Sequence, residues 1–194
     1  VIPGPALVHV VVVPGPETAD RAARTAAGRV ALRSLAAELV GADPADVTVR
    51  ARCATCGGAH GRPVLGGSGA LDGLHASVAH AGDAVVVAVS ADGPIGIDAE
   101  PHGREAPPGT TLAEWVRIEA VLKADGRGLR VDPGRVRFAD EGADGCLAWI
   151  DGEDARYRLV DTDVGPDLVA GVARRGLGEL DVRIHRLSGP GVGI

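Results

Sequence analysis

The sequence predicts an α+β fold built from two similar halves in one chain. Many short, β-branched segments are separated by Gly, Pro and Asp turns, the pattern of strands joined by tight connections. Only two longer stretches have helical periodicity, and each follows a strand-like segment and precedes several more. The resulting order is β-α-β-β-β, then β-α-β-β-β with two further strands, and the two runs meet near Ala91-Asp92-Gly93-Pro94. The expected domains are therefore 1–92 and 93–194.

The apolar start from Val1 to Val13 is interrupted by Pro3 and Pro5, lacks a basic leader and is too short to span a bilayer. Leu7 to Val13 reads as the first strand, ended by Pro14-Gly15-Pro16. Glu17 to Val40 predicts a helix with Ala23, Ala27, Val30, Ala31, Leu35 and Leu39 along its apolar face, stopped by Gly41 and Pro44. Val47 to Cys53 is a second strand, followed by a Cys- and Gly-rich loop. Ala76 to Ala79 and Ala84 to Ser90 form a hairpin across Ala81-Gly82-Asp83. The Asp92-Gly93-Pro94 turn leads to a strand over Ile95 to Ala99, and Pro101 to Gly109 is a loop. Thr110 is placed to cap a helix that runs to about Ala124 and ends at Gly126 and Gly128. The remaining strands are Arg135 to Ala139, Cys146 to Ile150, Arg156 to Val160, Leu168 to Ala173 and Leu180 to Leu187.

The 194 residues are 45% hydrophobic, enough for a real core, but aromatics are 2% and Met is absent. Val, Leu, Ile and Ala must fill the interior. A net charge of −6 argues against a nucleic-acid partner, and an anionic ligand would need a local basic pocket. Three Cys do not make a disulfide framework, so a cytoplasmic location is the simplest reading.

The chemistry concentrates in Gly96-Ile97-Asp98-Ala99-Glu100 and in Trp115 to Ala124. Side chains alternate along a strand, so Asp98 and Glu100 emerge on one side. On a helix, Glu119 and Lys123 are i,i+4 neighbours. Three carboxylates and one ammonium make a plausible Mg²⁺ site beside a phosphate chain, because Mg²⁺ shares hard oxygen ligands between a few carboxylates, phosphate and water. Taken singly, each feature has a plainer reading. Asp98 and Glu100 suit a solvated strand end, and Glu119–Lys123 suits a surface ion pair worth about 0.3–0.5 kcal/mol. The apolar stripe Trp115, Ile118 and Leu122 puts that pair at a boundary rather than on a fully solvated face.

These motifs, with Arg24 to Ser34, Gly61-Arg62-Pro63 and Ser77-Val78-Ala79-His80, occur in an order that resembles the surfactin-type (group II) 4′-phosphopantetheinyl transferase family, over roughly residues 20 to 130. The resemblance implies a pseudo-dimeric fold and a reaction: transfer of 4′-phosphopantetheine from coenzyme A to a serine of an acyl or peptidyl carrier protein, with release of 3′,5′-ADP and dependence on Mg²⁺. By the same resemblance Asp98, Glu100 and Glu119 are metal ligands, Glu119 being alternatively the base that takes the serine proton. Lys123 holds the pyrophosphate and favours the departing oxygen. His80 and Arg24 bind the 3′-phosphate, and Arg62 lies in the loop that borders the nucleotide. A monomer is expected, with no membrane or nucleic-acid partner. The chain departs from the family pattern at Ile118, where Lys is usual, and in the short stretch between Glu100 and Trp115. These departures motivate the alternative of a catalytically impaired, coenzyme A-binding relative that acts as a binding module.

Cys53-Ala54-Thr55-Cys56 with His60 invites a zinc reading, but a structural site needs four ligands and only Cys146 remains as a further thiol. Buried or reduced thiols are the preferred reading. Gly66-Gly67-Ser68-Gly69 lacks the Gly-Lys-Ser/Thr ending of a phosphate loop and reads as a turn. Phe138, Trp149 and Tyr157 read as core or sheet residues.

Overall fold

In the computed structural model, the described residues are 4–14, 20–51, 57–58, 61–140 and 145–185. The valine-rich run Ala6–Val13 is β1, and Arg21–Val40 is helix α1. Asp20 caps α1 by accepting from the Ala23 N–H, and Gly41 ends it in the left-handed conformation that favours glycine. The strands Thr48–Ala51 (β2), Pro63–Gly66 (β3), His75–Ala81 (β4), Ala84–Ser90 (β5) and Ile95–Pro101 (β6) follow. Helix α2 is Leu112–Asp125, and Val136–Asp140 (β7), Cys146–Ile150 (β8), Arg156–Asp161 (β9), Leu168–Arg175 (β10) and Leu180–His185 (β11) complete the described elements.

The fold is mixed α+β, and the described residues form three sheets, ordered β11-β1-β5-β4, β6-β10-β9-β8-β7 and β2-β3. In the first sheet β1 runs antiparallel to β5, β5 antiparallel to β4, and β11 parallel to β1. In the second, β6 runs antiparallel to β10, and β10, β9, β8 and β7 form an antiparallel meander. The predicted hairpin is β4–β5, with Gly82 at positive φ in its turn. No helix among the described residues is long and apolar enough to cross a membrane.

Small aliphatic side chains fill three clusters, as the composition requires. One lies between α1 and the first sheet, around Leu32, Leu35, Val85 and Val87. A second lies between α2 and the second sheet, around Val121, Leu122, Tyr157 and Leu159. The third joins the two sheets through Val8, Val10, Val86, Ile95, Ile97 and Val172. Tyr157 is fully buried, whereas Phe138 packs at the edge of the second cluster and Trp149 is half-buried, with the Arg156 guanidinium carbon 6.0 Å from the centre of its ring.

Several local expectations change. The buried face of α1 is Gly28, Ala31, Leu32, Leu35, Ala36 and Ala37, while Val30 is 58% exposed. The cause is the close approach of α1 to the sheet at Gly28, where an added Cβ would stand 3.1 Å from Val85 Cγ1. Thr111, not Thr110, caps α2: its hydroxyl accepts from the Glu114 N–H while the Glu114 carboxylate accepts from the Thr111 N–H. The Thr110 hydroxyl instead donates to the Pro107 carbonyl. β3 was not expected, because Pro63 and Gly66 bracket it and only its register with β2 makes it a strand. Cys146 is buried on β8, and Cys53, Cys56 and His60 lie outside the described residues.

Candidate functional site

The site forms where the two larger sheets meet. β4 and β6 are edge strands of different sheets and lie in contact. An edge strand leaves backbone donors unpaired, and the buried Ser77 of β4 accepts one of them, from the Ile97 N–H at 3.0 Å. On β6, Ile95, Ile97 and Ala99 enter the cluster between the sheets. Gly96, Asp98 and Glu100 alternate with them on the face covered by α2, so the two carboxylates share one side as their spacing predicts.

Gly96 sets how closely the helix approaches. A Cβ there would stand 2.1 Å from the Ala120 carbonyl oxygen and 2.4 Å from the Ala124 nitrogen. Only glycine permits this backbone contact. It brings Lys123 directly over Asp98: the Lys123 ammonium donates to Asp98 Oδ1 at 2.6 Å and to the Ile97 carbonyl at 3.0 Å. Glu119 Oε2 is 4.0 Å from the same ammonium, one helical turn back. Strand and helix carboxylates thus gather around a single cation.

Asp98 and Glu100 are buried, 3% and 5% exposed, and a buried carboxylate needs compensation. Burial raises the Asp98 carboxyl from 3.8 to about 7; Lys123 opposes the rise, and Glu119 and Glu100 add to it. Asp98 Oδ2 has no hydrogen-bond partner among the described residues. Glu100 accepts through Oε1 from the Arg104 guanidinium, which lies in the loop after β6 and is half-exposed. Arg104 also feels the charges of Glu119 and Asp98.

Beside this acidic cluster lies a basic one. His80, near the end of β4, is exposed. Its imidazole is held below the usual histidine range by partial burial and then by the cations Lys123, Arg24 and Arg21. Arg21 and Arg24 occupy the first turn of α1, which carries no acidic residue and presents the positive end of the helix dipole. Arg62 donates to the carbonyls of Lys123 at 2.5 Å and Ala124 at 2.7 Å, and so caps the C-terminal end of α2. Its contacts fix the turn of helix that carries Lys123.

The structure therefore brings Asp98 and Glu119 to Lys123, pairs Glu100 with Arg104, leaves His80 under the electrostatic influence of Lys123, Arg24 and Arg21, and sets Arg62 behind the helix end. Two members were not foreseen from sequence, Arg104 and Arg21. An Arg four residues past Glu100 in a loop has no periodicity to reveal it, and nothing in the spacing of Arg21 sets it apart from the other arginines of its helix. Ile118 is 7% exposed and belongs to the helix core. A separate open hollow of about 410 Å³ is lined by Ala113, Asp161, Thr162, Leu168 and Val169 among others, and includes none of the predicted site residues.

The donor set suits Mg²⁺ in kind, being all carboxylate oxygen, and Asp98 Oδ2 is an acceptor with no donor among the described residues. Among the described residues no three His, Cys, Asp or Glu side chains converge closely enough to hold an ion. Lys123 engages Asp98 and, at 4.0 Å, Glu119, and Arg104 engages Glu100 instead. No protein-family model and no curated protein matches the chain.

Proposed function

We propose that this chain is a magnesium-dependent 4′-phosphopantetheinyl transferase of the surfactin type, acting in the cytoplasm as a monomer on coenzyme A and an acyl or peptidyl carrier protein. One observation carries the reading. The Lys123 ammonium joins the strand carboxylate Asp98 at 2.6 Å to the helix carboxylate Glu119 at 4.0 Å, with the His80–Arg24–Arg21 cluster alongside. A divalent-cation donor set beside a basic patch suits a ligand with a diphosphate and a further phosphate.

In this reading the serine oxygen of the carrier forms a bond to the phosphorus next to the pantetheine. The bond from that phosphorus to the bridging oxygen breaks, and 3′,5′-ADP leaves. Asp98, Glu100 and Glu119 would hold Mg²⁺, which when bound supplies charge stabilisation to the diphosphate oxygens. Lys123 orients the diphosphate and favours the negative charge on the departing oxygen. His80 and Arg24 hold the 3′-phosphate by charge-assisted hydrogen bonds. Glu119, half-buried at the edge of the cluster, takes the serine proton if it is not engaged as a ligand. Arg62 keeps the last turn of α2, and with it Lys123, in place.

The pseudo-dimeric organisation, with halves at 1–92 and 93–194, belongs to the same proposal. Its support is a first strand followed by a helix in each half, with that strand paired antiparallel to a later strand of the same half, β1 with β5 and β6 with β10. The departures are the separate β2–β3 sheet and the addition of β11 to β1.

The test is incubation with coenzyme A, Mg²⁺ and a panel of apo-carrier proteins. Phosphopantetheinylation of a carrier, read by intact mass, is expected, together with loss of transfer in Asp98→Ala. No mass gain on any carrier, with no coenzyme A binding by calorimetry, would refute the reading. A second reading, a coenzyme A-binding module without transfer, is favoured by the burial of Ile118 where the family has Lys. Binding without turnover across the panel would select it.

A further inference from the structure

His9 of β1 and His185 of β11 meet across a parallel strand pair, with His9 Nδ1 2.7 Å from His185 Nε2 and the ring centres 4.8 Å apart. The alternation of the two strands brings them together. Val8 and Val10 of β1, and Leu180 and Val182 of β11, turn to the cluster between the large sheets. His9, Asp181, Arg183 and His185 therefore turn to the other face, where Val11 packs against α1. Glu38, near the end of α1, continues the row, with its Oε1 4.0 Å from His185 Nδ1.

This contact has a proton limit. At 2.7 Å the two nitrogens share one hydrogen, and either imidazole can supply it. One added proton preserves the bond, because a single imidazolium donates to its neutral neighbour. Two added protons put hydrogen on both facing nitrogens, and neither can accept. The neighbours oppose the second charge as well. Arg183 stands opposite His9 in the ladder register. Burial, then His185 and Arg183, hold His9 below the usual histidine range, against Glu38 and Asp181. Those anions are weak counterweights: Asp181 already accepts from the Arg183 guanidinium at 3.3 Å, and Glu38 is 62% exposed. β5, on the other side of β1, carries no titratable side chain.

The place of β11 in the fold gives the contact a mechanical role. β11 is an edge strand whose one neighbour in the sheet is β1. It is also a strap, because residues 176–179 carry the chain from β10 in the second sheet to β11 in the first. The start of the strap is pinned: the Ala6 N–H donates to the Glu179 carbonyl at 2.8 Å, and the Arg158 guanidinium donates to the Leu177 carbonyl at 3.1 Å. Near the far end Ile184 is 45% exposed, and the histidine pair ties the strand to β1.

We propose that His9 and His185 form a proton-operated latch on β11. With no added proton or one, the latch is closed. With two, the end of β11 leaves β1 while the rest of the fold stays in place. The latch uses no residue of the acidic site and operates whatever reaction that site supports.

A free imidazole titrates at about pH 6.5, so at about pH 5 a detached pair gains up to about thirtyfold over an attached pair that refuses its second proton. Amide hydrogen exchange of the full chain at about pH 7.5 and about pH 5, expressed as protection factors, follows β11, β5 and β10 separately. In wild type, β11 should lose at least about tenfold in protection at the lower pH, while β5 and β10 keep theirs. The double variant His9→Asn with His185→Gln retains polar side chains that do not titrate, and its β11 should be equally protected at both pH values. An NMR titration of the wild-type imidazoles should show one proton taken up in the ordinary range and the second only below about pH 5.5. Constant protection of β11 in wild type overturns the proposal, and so does an equal loss in the double variant. A loss shared by β5 and β10 is global unfolding and overturns it too. Two imidazoles that titrate independently at about pH 6.5 overturn it without any variant.

Discussion

Replacing Asp98 with Asn should flatten one component of the pH dependence of folding, by an amount the structure sets. Asp98 is 3% exposed, and burial raises its carboxyl from 3.8 to about 7 even with Lys123 attached. Between those two pH values the folded protein keeps a proton that the unfolded chain has released. Stability therefore falls as pH rises through this window. At about 1.4 kcal/mol for each tenfold change in proton affinity, the move from 3.8 to about 7 makes folding roughly 4 kcal/mol less favourable above the window than below it. The Asp98→Asn variant has no proton to lose there. It also weakens the Lys123 contact, which offsets the whole curve but hardly changes its slope. Urea denaturation from about pH 3 to about pH 8 in chelator, followed by Trp115 and Trp149 fluorescence, gives both curves. The expected result is a wild-type-minus-variant difference that drops by about 4 kcal/mol across the range. A difference constant within about 1 kcal/mol would refute the inference that Asp98 is a poorly compensated buried acid.

Gly96→Ala should destabilise by about 3 kcal/mol or more, because its Cβ would stand 2.1 Å from the Ala120 carbonyl oxygen and backbone cannot yield as a side chain can; a loss below about 1 kcal/mol in the same denaturation assay would contradict the close approach of β6 and α2. Thr111→Ala removes the capping hydroxyl of α2 and should cost about 1 kcal/mol, whereas Thr110→Ala should cost less, and the opposite ranking in thermal melts would reassign the cap. His9 Nδ1 and His185 Nε2 are 2.7 Å apart across the β1–β11 pair. Burial, then His185 and Arg183, hold His9 below the usual histidine range against the pull of Glu38 and Asp181. Below about pH 6.5 the unfolded chain takes up a proton that folded His9 refuses, so His9 contributes a loss of stability on acidification. His9→Gln should shrink that loss, and an identical acid limb in the variant would show that His9 is not its source.

Local physics made much of this molecule readable. The β-branched runs, the Gly-Asp turn of the hairpin and the glycines after α2 are short-range signals, and they located β1, β4–β5, β6 and α2 to within a few residues. The period of a strand put Asp98 and Glu100 on one face, and the period of a helix put Glu119 beside Lys123. What the sequence determined by itself is therefore the pair of acidic elements and their order. Bringing them together depended on tertiary structure. Gly96 is read as an ordinary strand residue until the helix backbone is seen resting on it. Val30 has the spacing of a core residue, but the approach at Gly28 turns the helix so that it faces water. β3 exists through its pairing with β2, the strand expected at Leu180 finds its place beside β1 only in the folded chain, and Arg104 reaches Glu100 through a loop with no period. Periodicity describes how neighbours along the chain share a face. It carries no information about which distant face covers it, or which cation comes to rest on a buried carboxylate.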